Sequence, residues 1–399
     1  MDAIDHLLTR GVDTIYPNRD ALEKVLRNGK KLRLYQGFDP TGTQLHIGHA
    51  VGFRKLRQWQ DLGHHVIFLV GDGTGLAGDP SGKMKARGRF MSRTELRDNA
   101  KAYLMQASKI VRFEGSNPVE ILYNGDWLTE LRLEDMLDIA QNFTVQQMIE
   151  RDMYQVRMKA GDPINLREFL YPLLQGYDSV AMKVDLELGG SDQTFNMLAG
   201  RTLVKNMLGK EKFVMTVPLL ADAKGVKIGK TEGNVIGLTD APSDFYGKIM
   251  SLGDDAIIPC FTLLTDLSDG DISDTQTKMK AGENPMTFKK QLAFELTKQF
   301  NSESDAQKAQ LEFETRFQKG QVTQSDLPKV SLNMLKTNSP IADTLVAFGL
   351  TSSKSEAKRL VEQKAVKING ALVEPSKNPA VLSPGDIIEV GRKAVKITS

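Results

Sequence analysis

Two histidines set three positions apart are the first chemistry this chain offers. Residues 35–49 read Tyr-Gln-Gly-Phe-Asp-Pro-Thr-Gly-Thr-Gln-Leu-His-Ile-Gly-His, and His46 and His49 are two of only five histidines in the protein. Both stand where a helix starts, so their rings share one face. Gly48 between them leaves room for a flat group against the backbone. A strand, a tight turn at Asp39-Pro40-Thr41-Gly42 and a helix N-terminus form a ready anion site. Imidazole nitrogens beside it suit phosphate chemistry. Further on, the Gly-rich run from Gly71 to Lys83 lets a ligand approach the backbone, and its Asp79 is a carboxylate fit to hold an ammonium. Tyr171, Gln175 and Asp178 fall at i, i+4 and i+7 of a helical stretch, which puts a phenol, an amide and a carboxylate on one face. In Gly189-Gly190-Ser191-Asp192-Gln193, Ser191 or Asp192 reads as a helix cap. Lys227-Ile228-Gly229-Lys230-Thr231 reads on its own as a basic surface loop.

These groups need a frame to hold them. Leu32–Phe38, Val66–Val70, Val119–Tyr123, Val184–Leu188 and Phe213–Val217 read as strands, the second so uniformly apolar that it must be buried on both faces. Two short helices ending at Asn28-Gly29 come before them. Between them the pattern predicts helices over Ile47–Leu62 and over Arg93–Val111, the latter with Leu96, Ala100, Tyr103, Leu104 and Ala107 on one face. A long helical stretch over residues 128–182 follows, then a helix ending near Leu208. Strands alternating with helices predict an α/β fold, a Rossmann-like doubly wound parallel sheet, with ligands at the carboxyl ends of the strands. Residues 243–314 are helical without strands, and Thr323–Lys329, with Pro328, reads as a linker. The tail predicts helices over Ile341–Phe348 and Ser353–Gln363, a strand into an Asn369-Gly370 turn and a last hairpin. The expected domains are 1–235, 236–330 and 331–399.

A chain of 399 residues has room for two or three domains. Its net charge of +2 means that any nucleic-acid contact relies on a local patch, not a bulk field. The single Cys260 excludes an internal disulfide framework and suits a reducing, cytoplasmic setting. No basic leader and no membrane-spanning apolar run is expected.

The His-Ile-Gly-His motif resembles the HIGH signature of class I aminoacyl-tRNA synthetases, and the Tyr-x-Gly-Phe-Asp-Pro-Thr lead-in is similar to that of their tyrosyl branch, bacterial in type. Gly-Asp-Pro-Ser-Gly-Lys at 78–83, the Tyr171, Gln175 and Asp178 triplet and Gly-Gly-Ser-Asp-Gln at 189–193 extend the resemblance. Lys227–Thr231 looks like a relaxed KMSKS loop. Ser353–Val361 and Val366–Gly370 resemble the S-four-like RNA-binding domain, which makes the expected tail a small α+β domain behind an α-helical one. Thr194 departs from the pattern, since many relatives carry Trp there.

The resemblance implies activation of L-tyrosine by ATP to tyrosyl-adenylate and pyrophosphate, then transfer to the 3′ end of tRNA(Tyr). Mg²⁺ would accompany ATP, with no dedicated metal site. The insert near 125–165 would form a homodimer surface, although Met148, Met153 and Met158 read equally well as core. Thr41, His46, His49, Lys227, Lys230 and Thr231 take the catalytic positions. Gly48, Gly190, Asp192 and again Lys230 bind ATP. Tyr35, Gly37, Asp39, Asp79, Tyr171, Gln175, Asp178 and Gln193 hold tyrosine, with Tyr35 and Asp178 at its phenol and Asp79, Tyr171 and Gln175 at its amino group. Lys83 and Arg87 would meet phosphate or the tRNA end, and Lys358, Arg359 and Lys367 the tRNA backbone. A pocket built to hydrogen-bond a phenol leaves its own groups unpaired if phenylalanine enters, a rule of which tyrosyl enzymes are the standard illustration, so no editing domain is expected. Three alternatives stand beside this reading: a tryptophanyl enzyme of the same fold, a nucleotidyltransferase that never meets tRNA, and a non-catalytic RNA-binding relative.

Overall fold

The computed structural model describes residues 2–81, 90–222, 225, 227–228, 235–315, 327–332, 339–351, 353–373, 382–390 and 393–398. The chain forms two compact units, Met1–Gln310 and Leu311–Ser399. The first is organised by six strands: β1 (Thr14–Tyr16), β2 (Arg33–Phe38), β3 (His65–Val70), β4 (Glu120–Tyr123), β5 (Leu186–Gly190) and β6 (Phe213–Val217). They lie in the order β1-β6-β5-β2-β3-β4. Five are parallel; β1 pairs antiparallel with β6. In β3 every residue after His65 is buried, as an apolar strand covered on both faces requires. From β2 the chain builds outward through β3 and β4, then returns to add β5 and β6 on the other side of β2. That reversal opens a crevice at the carboxyl ends of β2 and β5.

The edge strand β1 lies in a region expected to hold only two helices. It has three residues, of which only Ile15 is buried, too short for an alternation to show. The expected long helical stretch is broken into five helices, Gly125–Leu128, Leu133–Ala140, Val145–Ile149, Asp152–Ala160 and Leu166–Ala181. Side-chain caps from Thr144 and Asn165 restart the helix, and Gly161, left-handed at φ 73, stops it. Pro172 sits inside the last of these helices.

Helices Pro242–Met250, Ile257–Leu264, Asp269–Lys280, Pro285–Phe300 and Glu303–Phe313 follow the sheet. Phe245 and Phe300 meet in their core, ring centroids 5.6 Å apart. All but the last few residues of this region belong to the first compact unit, so no gap between compact bodies falls at position 235.

In the second unit, helices Ile341–Ala347 and Lys354–Glu362 accompany five strands: β7 (Lys329–Ser331), β8 (Val366–Ile368), β9 (Ala371–Leu372), β10 (Ile387–Val390) and β11 (Lys393–Thr398). Their order is β7-β11-β10-β8-β9. Asn369 and Gly370, at φ 50 and 78, make the tight turn between β8 and β9. Lys329, expected in a linker, instead starts β7, which pairs parallel with β11; residues 323–326 of that linker lie outside the described residues.

Candidate active site

One cavity occupies the crevice at the strand ends. Tyr35, Gly37, Asp39 and Thr41 reach it from β2 and the turn after it, and Asp79 from the loop that follows β3. Tyr171, Gln175 and Asp178 come from the helix Leu166–Ala181, and Gly190, Asp192 and Gln193 from the end of β5. Lys227 also lines it. A second cavity shares His49, Gly190, Asp192 and Lys227 with the first and adds His46 and Gly48. Lys83, Arg87, Lys230 and Thr231 lie outside the described residues. Lys358, Arg359 and Lys367 belong to the second compact unit, where all three are exposed.

Asp178 is buried at 1% exposure, and both of its oxygens are engaged: Trp127 Nε1 donates to Oδ1 at 2.8 Å and Asn124 Nδ2 to Oδ2 at 2.9 Å. Burial pushes its carboxyl well above the ordinary value against the pull of those two donors, and the charges of Glu187 and Asp39 push the same way. Tyr35, equally buried, places its hydroxyl 3.0 Å from Ser179 Oγ. Burial, with Glu187 and Asp178 nearby, holds that phenol well above its usual range, so it keeps its proton.

Along the same helix face, Tyr171 donates to Asp39 Oδ2 at 2.9 Å, while Thr74 Oγ1 donates to Oδ1 at 2.7 Å. Gln175 Nε2 donates to Glu187 Oε1 at 3.0 Å, and Gln175 Oε1 is left buried with no hydrogen-bond partner among the described residues. Asp79 accepts from Ser81 N at 2.8 Å and from Gln193 Nε2 at 3.0 Å. Gln193 Oε1 in turn accepts from Asn196 at 2.9 Å. Asp39 and Asp79 thus bring two carboxylates to a cavity that Tyr171 and Gln175 also line, a setting suited to a cation.

The histidines are fixed by the helix they begin. His46 is its N-cap, with Nδ1 accepting from Gly48 N at 3.1 Å, and His49 Nδ1 accepts from His46 N at 3.1 Å. With both Nδ1 atoms used as acceptors, a neutral ring carries its proton on Nε2 as a donor. The rings lie 4.0 Å apart, tilted by 51°. A Cβ on Gly48 would sit 2.9 Å from the His46 ring, so the flat group this glycine admits is the neighbouring imidazole itself. Lys227 pairs with Asp192 at 3.6 Å across the mouth of the second cavity. Thr194, the departure from the family pattern, donates to Ser191 O at 2.7 Å and starts the helix Thr194–Leu208.

Several residues of the site went unmarked in the sequence. Asn124 and Trp127, which hold Asp178, stand just after β4 in a stretch with no motif. Gln36 lines both cavities with its Oε1 buried and unpartnered among the described residues. Tyr103 lines the first cavity, its phenol pushed up to about 12 by burial and by Asp39. Glu187, Ser179 and Lys212 form a buried charged cluster behind Tyr35. In the expected strand Val184–Leu188 the acids Asp185 and Glu187 alternate with apolar residues, which reads as a solvent-facing side of the strand and hides the burial of Glu187.

The family model for class I tRNA synthetases (W and Y) matches residues 27–318, and that for the tyrosine–tRNA ligase SYY-like C-terminal domain matches residues 320–383. A tyrosine–tRNA ligase of Dehalococcoides mccartyi is 42% identical over 392 residues, covering 98% of this chain and 97% of its own. One of Thermotoga maritima is 41% identical, covering 97% and 95%. Among solved structures, a C-terminally truncated mitochondrial tyrosyl-tRNA synthetase of Aspergillus nidulans superposes with a TM-score of 0.64 at 25% identity, over 79% of this chain and 94% of that one.

Proposed function

The chain belongs to the class I tRNA synthetases, on their tyrosine–tRNA ligase branch, and from that premise we propose how its residues divide the work. Tyrosine and ATP give tyrosyl-adenylate and pyrophosphate, and the tyrosyl group then passes to tRNA(Tyr). In the first step a carboxylate oxygen of tyrosine attacks the α-phosphorus, and the bond to the pyrophosphate oxygen breaks. No protein nucleophile is required; orientation and charge stabilisation lower the barrier.

Tyrosine lies with its phenol toward Tyr35 and Asp178 and its ammonium between Asp39, Asp79, Tyr171 and the unpartnered oxygen of Gln175. Gln193, tied to Asp79, orients the reacting end beside Gly37. The Nε2 donors of His46 and His49, with Thr41, meet the phosphate oxygens as charge builds on them. Gly48 and Gly190 line the nucleotide path, and Asp192 accepts from the ribose. Lys227, with Lys230 and Thr231, neutralises the leaving pyrophosphate. Mg²⁺ enters on the triphosphate, whose oxygens suit it; among the described residues no three His, Cys, Asp or Glu side chains converge as a metal cluster. The observation that carries this reading is the meeting of Tyr35 and Asp178 with His49, Asp192 and Lys227 around one cavity.

Two assembly features complete the proposal. Leu133, Leu137 and Val145 on the inserted helices and Leu166 just past them are 60–77% exposed, an apolar surface that suits a second copy of the chain; Met148 and Met153 are buried, whereas Met158 is 52% exposed and is not core. Lys358, Arg359 and Lys367 supply phosphate contacts for tRNA, together with Lys83 and Arg87 of the first unit.

Amino-acid-dependent pyrophosphate exchange followed by charging of unfractionated tRNA tests the function. Tyrosine alone should support both. Exchange with tryptophan instead, or none with any amino acid, overturns the proposal.

A further inference from the structure

We propose that Lys212 and Ser179 are positioning residues for the substrate phenol: they begin a one-way line of hydrogen bonds that runs from Lys212 through Ser179 and Tyr35 to the bound hydroxyl and ends on Asp178. The inference rests on the tyrosine-binding reading above.

The line is laid down by the sheet. Tyr35 on β2 and Glu187 on β5 are register partners. Ser179 is one residue past Asp178 on the helix that crosses these strands, and Lys212 directly precedes β6. All are essentially inaccessible, with Lys212 and Ser179 at 0% and Tyr35 and Glu187 at 1%. Gly200 makes the space: a Cβ there would lie 2.5 Å from Lys212 Nζ and 2.9 Å from Ser179 Oγ.

Counting protons gives the direction. An ammonium has three donors and no acceptor. Those of Lys212 go to Ser179 Oγ at 2.6 Å, to Met197 O at 3.3 Å and to Glu187 Oε2. Ser179 therefore accepts one hydrogen bond and has its own hydroxyl to donate. Two acceptors face it, Tyr35 Oη at 3.0 Å and Glu187 Oε2 at 3.3 Å. Glu187 Oε2 is the farther of the two and also takes the lysine, and its sister oxygen takes Gln175, so the shorter contact to Tyr35 is the one that carries the line. With a phenol bound, Ser179 donates a hydrogen bond to Tyr35, Tyr35 donates one to the substrate oxygen, and the substrate hydroxyl donates one to Asp178. Every link has one donor and one acceptor, running from the Lys212–Glu187 pair to Asp178, whose two oxygens Asn124 and Trp127 already hold as acceptors. Glu187 neutralises the cation and holds Gln175 with its other oxygen, so the groups at the two ends of the amino acid share one anchor.

Phenylalanine breaks the line in its middle. Tyr35 keeps an unspent proton and Asp178 an unspent lone pair, both in a place water does not reach. On this account the rejection of phenylalanine depends on residues that never touch the substrate.

The test is pyrophosphate exchange with tyrosine and with phenylalanine for the wild type, Ser179→Ala, Tyr35→Phe and the double variant. Ser179→Ala keeps the ion pair and removes the link. It should raise the tyrosine KM roughly tenfold, the worth of one hydrogen bond, and lower the tyrosine-to-phenylalanine ratio of kcat/KM by about as much. The ATP KM should stay put. On the Tyr35→Phe background the same change should add almost nothing, because the line is already cut. An unchanged ratio in Ser179→Ala, or effects of the two changes that multiply, would overturn the line and leave the enzyme reading standing. Absence of tyrosine-dependent exchange in the wild type would overturn both. Should Ser179→Ala fail to fold, Glu187→Gln with Lys212→Met, which replaces the buried ion pair by two uncharged side chains, puts the same question through the same ratio.

Discussion

The two sides of the cavity, proposed above to take the amino acid and the nucleotide, are built on opposite terms. Tyr35, Asp178, Glu187 and Lys212 are at most 1% exposed and are held by side chains: Asn124, Trp127, Ser179 and Gln175. His46 and His49 are half-buried and accept from backbone N–H groups at the start of a helix. Lys227 and Asp192 are 44% and 30% exposed. Where water is absent, an unpaired polar group costs the most, so a wrong substrate is refused by what it leaves unsatisfied. Where water is present, such penalties fade, but donors can follow a phosphate as its charge and position change. Selection and chemistry thus use different surroundings within one site.

The largest effect that would sharpen this contrast lies on the dry side. Asp178→Ala should cut kcat/KM for tyrosine by about 10³-fold, roughly 4 kcal/mol, since it removes an acceptor of the phenol and orphans the Asn124 and Trp127 donors. The ATP KM should change little, and equal losses for both substrates would break the division. On the wet side, His49→Ala should lower kcat by about 10²-fold, the usual cost of one transition-state donor, with both KM values nearly constant. A rise in the ATP KM without loss of kcat would instead assign His49 to ground-state binding.

The same contrast explains which parts could be read from the sequence. Many residues that line the cavities sit in the turns after β2, β3 and β5, where glycines, prolines and caps break the pattern and leave a motif, while Tyr171, Gln175 and Asp178 show through their helical spacing. His46 to His49, Asp79 and Asp192 are of the first kind. Residues that hold those residues sit inside regular elements, where the periodicity gives no reason to single them out. Glu187 is one letter in a strand, Lys212 one lysine among many, and their pairing exists only because β5 and β6 are neighbours. Trp127 stands between the expected third strand and the expected helix, in a short helix, Gly125–Leu128, that no pattern marked. The parallel sheet was legible because its strands are apolar runs between amphipathic helices. The edge strand β1, with one buried residue, was not.

Lys227 offers a smaller effect. Its ion pair with Asp192 is exposed and spans 3.6 Å, so Lys227→Met should shift stability by less than about 0.5 kcal/mol. Activity should fall about tenfold, in kcat more than in either KM, as expected of a charge that matters when pyrophosphate leaves. A large drop in melting temperature would mean the pair is structural and would erase the difference between the two sides.

The smallest effect comes from a histidine that does no chemistry. His64 stands before β3, at the end of the sheet away from the cavity, and its Nδ1 accepts from Leu32 N at 3.0 Å. Burial, helped by the charge of Lys31, lowers its pKa from the ordinary 6.5 to about 4. The folded state therefore prefers the neutral ring. Between pH 6.5 and 4 the unfolded chain takes up a proton that the folded one refuses, so stability is complete above this window and falls as the pH is lowered through it. In His64→Asn the amide oxygen can still accept from Leu32, but nothing titrates. Melting at pH 7 and at pH 5 should show a smaller drop for the variant than for the wild type. Equal drops would place the acid sensitivity elsewhere, among the carboxylates. A smaller drop would mark His64 as a buried acceptor whose imidazole serves the sheet, in contrast to the half-buried rings of His46 and His49 at a helix start, for which a phosphate role is proposed.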